Sequence, residues 1–389
     1  MDKSLRDLAI IHTATFTIFF AMSIVIPVLG PYLASMGFSD TEIGLIAMLM
    51  PLASMLLRPI TGVLADYWSR RLLVILGLVF TSISGILYIG PRYIAPLGRI
   101  LQGMGVAFYV PGSIALTSYL AKKTGKLGVH MSTRSLLNGL GFTVGPLASA
   151  YLTVKYGYHS PFIALAIAPL PFIFLAFSLE ESSARQYTSK WSYTGILRRW
   201  FSIGRKPFIL WVTVAITLMA TGYSSLQTFL SLYYTETYGR GIVLGGTFFT
   251  ISGLSSIPTR GIGGVLAEKM GPDKIVISAL ILILAGSLMV LLKGTLSYLI
   301  APIFVGLGLG LLIPSMLVGV SSVTENTEYG SAFSFSTVSW DVGGLVGPIM
   351  GGLLSSAYSY RAAIILYPIL SFLGLLSFIY YLLEKKGME

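Results

Sequence analysis

The amino-acid sequence has no cysteine and only three histidines among its 389 residues. The lack of cysteine excludes disulfide bonds, thiol chemistry and cysteine-ligated metal sites. The motifs H-E-x-x-H, G-x-S-G and G-x-G-D, which intramembrane proteases need, are also missing. We therefore expect a protein that is not an enzyme and that has neither a metal site nor a cofactor.

Charged residues are also few. They make up 11% of the chain, whereas soluble domains average about 25%. Hydrophobic residues make up 54%, which is typical of a polytopic membrane protein and not of a soluble enzyme. The apolar segment that begins at Asp7 is too long for a signal-peptide core and has no cleavage site after it, so we predict a retained first membrane helix.

Further apolar stretches are long enough to cross the ~30 Å hydrocarbon layer, which takes roughly 20 residues each. They predict an all-α membrane protein with twelve spans and with both termini on one side of the membrane. The spans lie near residues 8–34, 41–65, 72–90, 94–121, 132–155, 160–179, 207–237, 241–268, 274–293, 296–322, 331–357 and 360–383.

The one long connection divides the chain into two bundles of six helices, residues 1–180 and 207–389. Residues 181–206 form the linker between them. Its basic and aromatic residues fit either a short amphipathic helix on the anionic inner leaflet or a solvated connection.

The distribution of basic residues predicts the orientation. With the termini inside, the cytoplasmic segments hold 19 of the 26 basic residues, Arg134 and Arg260 among them. We therefore predict cytoplasmic termini and a location in the cytoplasmic membrane. The net charge of +11 reflects this bias, and we expect no nucleic-acid partner.

An internal repeat relates the two halves at an offset of 202 residues. Residues 58–65 match residues 260–267 at six of eight positions, and Asp66 then falls on Glu268. Because each half has an even number of predicted spans, the repeats are parallel. Two parallel six-helix repeats are the plan of rocking-bundle secondary transporters.

Three segments carry a family resemblance. "GVLADYWSRR" at 62–71 resembles the signature loop G-x-L-A-D-R-x-G-R-R of the major facilitator superfamily, with Tyr67 and Ser69 as departures. "RILQGMGVA" at 99–107 resembles the R-x-x-Q-G-x-G signature of its fourth helix. "GFTVGPLASA" at 141–150 is similar to the motif of the fifth helix that is associated with antiporters.

This resemblance implies a cytoplasmic gate that latches the two halves in the outward-open state. Its expected members are Asp66, Arg70 and Arg71, with Glu268 as the weaker counterpart in the second half. The two arginines also fit a plain anchoring role under the positive-inside rule.

The glycine-proline motifs of spans 5 and 11 predict tight, hinge-like helix packing between the halves. Small residues let membrane helices approach closely, and proline removes a backbone hydrogen bond. The residues are Gly141, Gly145, Pro146, Gly343, Gly347 and Pro348.

Two of the charged residues inside predicted spans are singled out, because charges there are costly and usually functional. Arg99 and Asp341 are our candidates for proton coupling, and Asp341 is the only acid well inside a span. Snorkelling is the alternative for Arg99, and a structural hydrogen bond is the alternative for Asp341. His12, His130 and His159 look isolated and are expected at the membrane interfaces.

Together these features predict a proton-coupled antiporter that exports small amphipathic molecules by alternating access, driven by the proton gradient. The alternative is a symporter or facilitator for a small polar or anionic solute, such as a sugar or an organic acid. Arg99, Gln102, Tyr223 and Gln227 would then line the substrate cavity. The expected partners are the small-molecule substrate and the lipid bilayer, with the chain as a monomer.

Overall fold

The computed structural model describes residues 3–67, 69–180, 202–324 and 329–388, and the regular elements in these ranges are helices. The chain packs as two units. Unit 1 comprises Met1–Tyr187 and Tyr234–Thr250, and unit 2 comprises Thr188–Tyr233 and Ile251–Glu389. Residues 234–250 thus pack with unit 1, whereas the sequence placed them in the second bundle. Residues 181–201, most of the predicted linker, lie outside the described residues.

The first half of the sequence forms eight helices, with a short 3₁₀ turn at Arg92–Ile94. They are α1 (Lys3–Ser23), α2 (Ile26–Ser35), α3 (Asp40–Tyr67), α4 (Arg70–Ile89), α5 (Ala95–Lys123), α6 (Leu127–Tyr156), α7 (Ser160–Ile167) and α8 (Leu170–Phe177).

The second half forms six helices, with a π-helical turn at Leu296–Ile300. They are α9 (Pro207–Tyr238), α10 (Gly241–Met270), α11 (Pro272–Val290), α12 (Ala301–Ser322), α13 (Tyr329–Ala357) and α14 (Tyr360–Met388).

Ten segments in the described residues are long and apolar enough to cross a membrane, as expected for a multi-pass membrane protein. The helices α6 and α13, which correspond to predicted spans 5 and 11, are not among them. Both are long, with 30 and 29 residues, but their many glycine, serine and threonine residues lower the mean hydropathy.

Two predicted spans are each broken into two helices by proline. Pro27 lies at the start of α2, just after the turn that separates it from α1. Pro169 and Pro171 lie at the start of α8, just after α7. Because proline has no backbone N–H to donate, a helix tends to restart at such positions.

The repeat seen in the sequence also appears in the local structure. Gly37 ends α2 with φ of 81°, and Gly239, its equivalent at the offset of 202, ends α9 with φ of 68°. Glycine adopts this left-handed conformation without the steric cost that a Cβ atom brings. At the start of α3, the Ser39 N–H donates to Glu42 Oε2 at 2.8 Å, which forms half of the capping box.

The glycines of the two glycine-proline motifs each pack against a helix of their own unit. The expectation that these motifs also pack between the halves stays a prediction. A Cβ atom on Gly141 would lie 2.6 Å from the Phe16 carbonyl oxygen of α1. One on Gly343 would lie 2.7 Å from the Ala220 carbonyl carbon of α9. Pro146 and Pro348 lie inside continuous helices.

One glycine contact does join residues from the two halves of the sequence, and both of its residues belong to unit 1. A Cβ atom on Gly246 in α10 would lie 2.7 Å from the Pro146 carbonyl oxygen of α6. Glycine is therefore required here for close backbone approach.

Candidate functional site

The signature-loop arginines both make contacts within unit 1. Ser69 caps α4 by accepting a hydrogen bond from the Leu72 N–H at 3.0 Å. Arg71 Nη1 donates to the carbonyl oxygens of Phe177 and Leu179, each at 3.3 Å. Its positive charge thus lies at the negative end of α8, where a cation is favoured.

The structure describes only some of the other side chains of the predicted gate. The side chain of Asp66 lies outside the described residues. Glu268 is exposed near the end of α10. The Arg70 guanidinium lies 5.8 Å from the centre of the Tyr119 ring, within the range of a cation–π contact. The gate remains a prediction.

A buried acid that the sequence analysis did not single out holds the end of α8. Asp7 is fully buried, and it accepts hydrogen bonds from Arg6 Nη2 at 2.9 Å and from the Glu180 N–H at 2.8 Å. Glu180 in turn accepts from Tyr119 Oη at 3.0 Å and from Lys123 Nζ. The hydrogen bond from Lys123 holds the pKa of the Glu180 carboxyl below its usual value.

The structure brings Arg99 and Gln102 together on one face of α5. Arg99 Nη1 donates to Gln102 Oε1 at 2.8 Å, and Arg99 Nε donates to the Ala47 carbonyl oxygen of α3 at 3.2 Å. Tyr88 Oη of α4 also donates to Gln102 Oε1, at 3.1 Å. Gln102 is fully buried, and its Nε2 has no hydrogen-bond partner among the described residues. This polar network can present amide and guanidinium donors.

The other two predicted cavity residues also come together, within unit 2. Tyr223 of α9 hydrogen-bonds with Gln227, one turn further along, and with Ser252 of α10. Its ring lies 6.4 Å from Trp340 of α13 and 5.6 Å from Tyr367 of α14, measured between ring centroids. Aromatic walls with a few polar groups are typical of sites for amphipathic molecules.

Asp341 follows Trp340 in α13, and 6% of its surface is exposed. It is therefore a buried carboxylate, as the proton-coupling prediction requires. Arg99 lies in unit 1 and Asp341 in unit 2. The four predicted cavity residues form two pairs, one within each unit.

Two arginines that the sequence analysis counted as cytoplasmic lie within helices. Arg134 of α6 is only 7% exposed. Arg260 is the twentieth of the 30 residues of α10, and it is half-buried. The mean hydropathy of a sequence segment does not reveal an arginine within a helix that faces other helices. The remaining segments that are predicted to be cytoplasmic still hold more basic residues than the predicted outer turns.

The expectation that His12 and His130 are isolated is wrong. Their rings stack with centroids 5.6 Å apart, and His12 Nε2 lies 3.4 Å from His130 Nδ1. Arg134 follows His130 by one helical turn, a spacing of four residues that places both on one face of α6. That spacing is the only sequence signal for this cluster. His159 is exposed, and its ring lies 5.6 Å from that of Tyr32.

The described residues contain no group of three or more histidine, aspartate and glutamate side chains that could hold a metal ion.

Comparison with known proteins places these features in a family. The model of the Major Facilitator Superfamily matches residues 11–324 and, in a second match, residues 262–389. Multidrug resistance protein 2 of Bacillus subtilis is 26% identical over 91% of this chain and 91% of that protein. A homolog of the multi-drug resistance efflux pump PmrA from Lactococcus lactis is 26% identical over 99% of this chain and 98% of that protein.

Solved structures share the fold. The nucleoside transporter NupG superposes with a TM-score of 0.79, at 12% identity, and the match covers 98% of both chains. A bacterial homolog of the human lysosomal transporter Spinster superposes with a TM-score of 0.78, at 14% identity, and the match covers 98% of both chains. The chain belongs to the major facilitator superfamily and is a transporter, not an enzyme.

Proposed function

We propose that this protein exports small amphipathic molecules across the cytoplasmic membrane in exchange for protons. The observation that carries the proposal is the similarity, along nearly the whole chain, to multidrug efflux proteins. A superfamily transporter of this type has twelve spans, so α6 and α13 also cross the membrane, and both termini are cytoplasmic. The proton gradient supplies the energy, without a cofactor.

The aromatic and amide groups of unit 2 fit an amphipathic substrate. Tyr223, Trp340 and Tyr367 offer ring faces, and Gln227 adds an amide beside Tyr223. Large flat aromatic surfaces bind apolar molecules with little demand on their exact shape. The side chains therefore support export of several related compounds and not of a single sugar.

The proton carrier in this proposal is Asp341. Its carboxylate is buried in α13, and a carboxyl group can bind a proton and release it again. Arginine keeps its proton in proteins. Arg99 therefore acts by charge, either on the proton equilibrium or on a substrate anion, through a side chain that Gln102 and the Ala47 carbonyl hold in place.

Alternating access requires the cytoplasmic side to close when the outer side opens. Asp66, Arg70 and Arg71, with Glu268 of the second half, form the cytoplasmic gate in this proposal. Arg71 also holds the end of α8 through the Phe177 and Leu179 carbonyl groups, so it links the gate to the start of the linker.

The test is transport in proteoliposomes with fluorescent amphipathic probes of positive, negative and zero charge, each with and without an imposed pH gradient. Export against a probe gradient that depends on the pH gradient is the expected result. Empty liposomes and the Asp341→Asn variant are the controls. Movement that follows the probe gradient at every pH gradient contradicts the proposal and indicates a facilitator.

A second function has one structural observation in its favour. The polar network of Arg99, Gln102 and Tyr88 resembles a site for hydroxyl or carboxylate groups more than a site for a lipophilic cation. A symporter or facilitator of a small polar or anionic solute would use it directly. In that case a sugar or an organic acid, and not the amphipathic probes, accumulates in the liposomes.

A further inference from the structure

A cluster of nitrogen-bearing side chains lies between α1, α5 and α6 of unit 1, apart from the residues used above. The imidazoles of His12 and His130 are 3.4 Å apart between Nε2 and Nδ1. Arg134 Nη2 donates to Ser113 Oγ at 2.8 Å. Tyr109 Oη and Thr15 Oγ1 form a neighbouring hydrogen bond of 3.1 Å.

His12 and Arg134 are buried and His130 is half-buried, yet several of their nitrogens have no hydrogen-bond partner among the described residues. His12 is 6% exposed and Arg134 is 7% exposed. Among the described residues, His12 Nδ1, His130 Nε2 and Arg134 Nε lack a hydrogen-bond partner. A buried polar atom without a hydrogen-bond partner destabilises the folded state. Three of them in one cluster indicate that another chemical group binds there.

The charge of the cluster determines whether the bound group is an anion or a cation. Arg134 is always positive, and an imidazole is either neutral or positive. The nearby carboxylates do not offset this positive charge, because each of them already pairs with another group. Asp7 is bound by Arg6 and by the Glu180 N–H, and Glu180 is bound by Lys123. Along α1, Asp7 lies five residues before His12, about 7 Å by helical rise. A metal ion or a cationic molecule is disfavoured beside the guanidinium.

We propose that His12, Ser113, His130 and Arg134 form a binding site for a small monovalent anion. The chemistry fits chloride or the carboxylate of a small organic acid. The guanidinium supplies the fixed charge, and Ser113 orients it. The imidazole nitrogens and Arg134 Nε supply N–H donors, and hydrogen bonds from charged donors to an anion are the strong ones.

The anion binds together with a proton. A neutral imidazole pair uses one N–H and one lone pair between the rings, so one of its two outer nitrogens has no hydrogen. Protonation of that nitrogen turns both outer nitrogens into donors. Arg134 opposes this extra charge when no anion is bound, and an anion offsets the guanidinium. By thermodynamic linkage, the anion and the proton then increase each other's affinity by the same factor.

The experiment is nitrogen-15 nuclear magnetic resonance of the full chain labelled at histidine. The chain has three histidines, so each imidazole can be assigned from the loss of its signals in His12→Gln, His130→Gln or His159→Gln. The wild-type protein is titrated with pH in sodium gluconate as the bulky reference anion, in sodium chloride and in sodium acetate. These two small anions distinguish an inorganic ion from a carboxylate group.

We expect chloride, acetate or both to tighten proton binding at the His12–His130 pair about tenfold relative to gluconate, as one opposite charge at close range does. His159 is exposed and serves as the internal reference that does not change. Arg134→Gln removes the anion effect. Arg92→Gln, which removes an arginine at the other end of unit 1 that pairs with Glu42, keeps it.

Identical histidine signals in gluconate, chloride and acetate at every pH overturn the proposal and leave a purely structural polar cluster. An equal response of His159 overturns it as well, since that shows a general salt effect. The comparison of anions on the wild-type protein decides the question even where Arg134→Gln does not fold. It uses no transport assay, so its failure is independent of the direction or coupling of transport.

Discussion

Units 1 and 2 repeat their helix-packing contacts but not two of their buried charges, Arg134 and Asp341. In unit 1 the glycines of α6 lie against the backbone of α1, and in unit 2 those of α13 lie against the backbone of α9. At the offset of 202, however, Asp341 corresponds to Gly139, and Arg134 corresponds to Ser336. The scaffold is duplicated, and the buried charges belong to one unit only.

This difference separates what the fold needs from what transport needs. Close packing between helices is required twice, once in each unit, so both copies keep the small residues. A charge inside a membrane span is costly, and the fold does not require it, because the equivalent position in the other unit does without it. Charges present in one unit only are therefore the best candidates for function.

The largest effect is expected at Asp341, the buried acid of unit 2. Asp341→Asn keeps the size of the side chain but cannot exchange a proton. Transport driven by a pH gradient should fall to the level of empty liposomes, while substrate exchange between equal concentrations continues. Proteoliposome flux assays measure both. Asp273→Asn, at the surface of the same unit, is the control and should transport like the wild type. Proton-driven transport by Asp341→Asn would show that the carrier lies elsewhere.

The second effect is structural and should be equal in the two units. Gly145→Val places side-chain atoms against the backbone of α1, and Gly347→Val does the same against α9. Overpacking costs about 1–3 kcal/mol, and the upper end applies because backbone atoms cannot move aside. Both variants should lower the thermal unfolding midpoint in detergent. Gly261→Val is the matched control, since no heavy atom lies within 4 Å of a Cβ atom at that glycine. If all three variants melt together, close packing is not what the motif provides.

Local spacing accounts for what the sequence could predict about the site. Arg99 and Gln102 are three residues apart, and so are Ser39 and Glu42, so each pair necessarily shares a helix face. The membrane class and the repeat follow from composition and from matching segments. These features depend on residues that are near one another in the chain.

Contacts between segments that lie far apart in the chain could not be predicted from the sequence. His12 and His130 are 118 residues apart, and they meet between two helices, α1 and α6, that approach closely at Gly141 and Gly145. Arg71 and the Leu179 carbonyl are 108 residues apart. Arg260 was assigned to a cytoplasmic segment, although α10 continues for ten residues beyond it. Hydropathy cannot distinguish an arginine in a loop from one that faces other helices.

A third prediction compares two acids at the predicted cytoplasmic ends of the units. Asp7 is fully buried and accepts from Arg6 and from the Glu180 N–H, whereas Asp273 is 20% exposed and pairs with Lys385 at 2.8 Å. Asp7→Asn removes charge-assisted hydrogen bonds and should cost about 1–3 kcal/mol. Asp273→Asn should cost at most about 1 kcal/mol, as partly exposed pairs do. Unfolding midpoints in detergent measure both. An equal loss for the two variants would mean that burial of Asp7 adds nothing.

The smallest effect is expected at the predicted gate, where Asp66 of the first half corresponds to Glu268 of the second. If Asp66 latches the outward-open state, Asp66→Asn should move the population toward the inward-open state while the protein stays folded. A partly hydrated pair contributes ~1 kcal/mol, which changes the ratio of the two states about fivefold. Glu268→Gln should change it less, because Glu268 is exposed and adjoins Lys269. The natural lack of cysteine allows spin labels at two introduced cysteines on the predicted cytoplasmic face, and their distance distribution reports the two populations. Distributions that are unchanged in Asp66→Asn, or changed equally in both variants, would remove the distinction between the two halves of the gate.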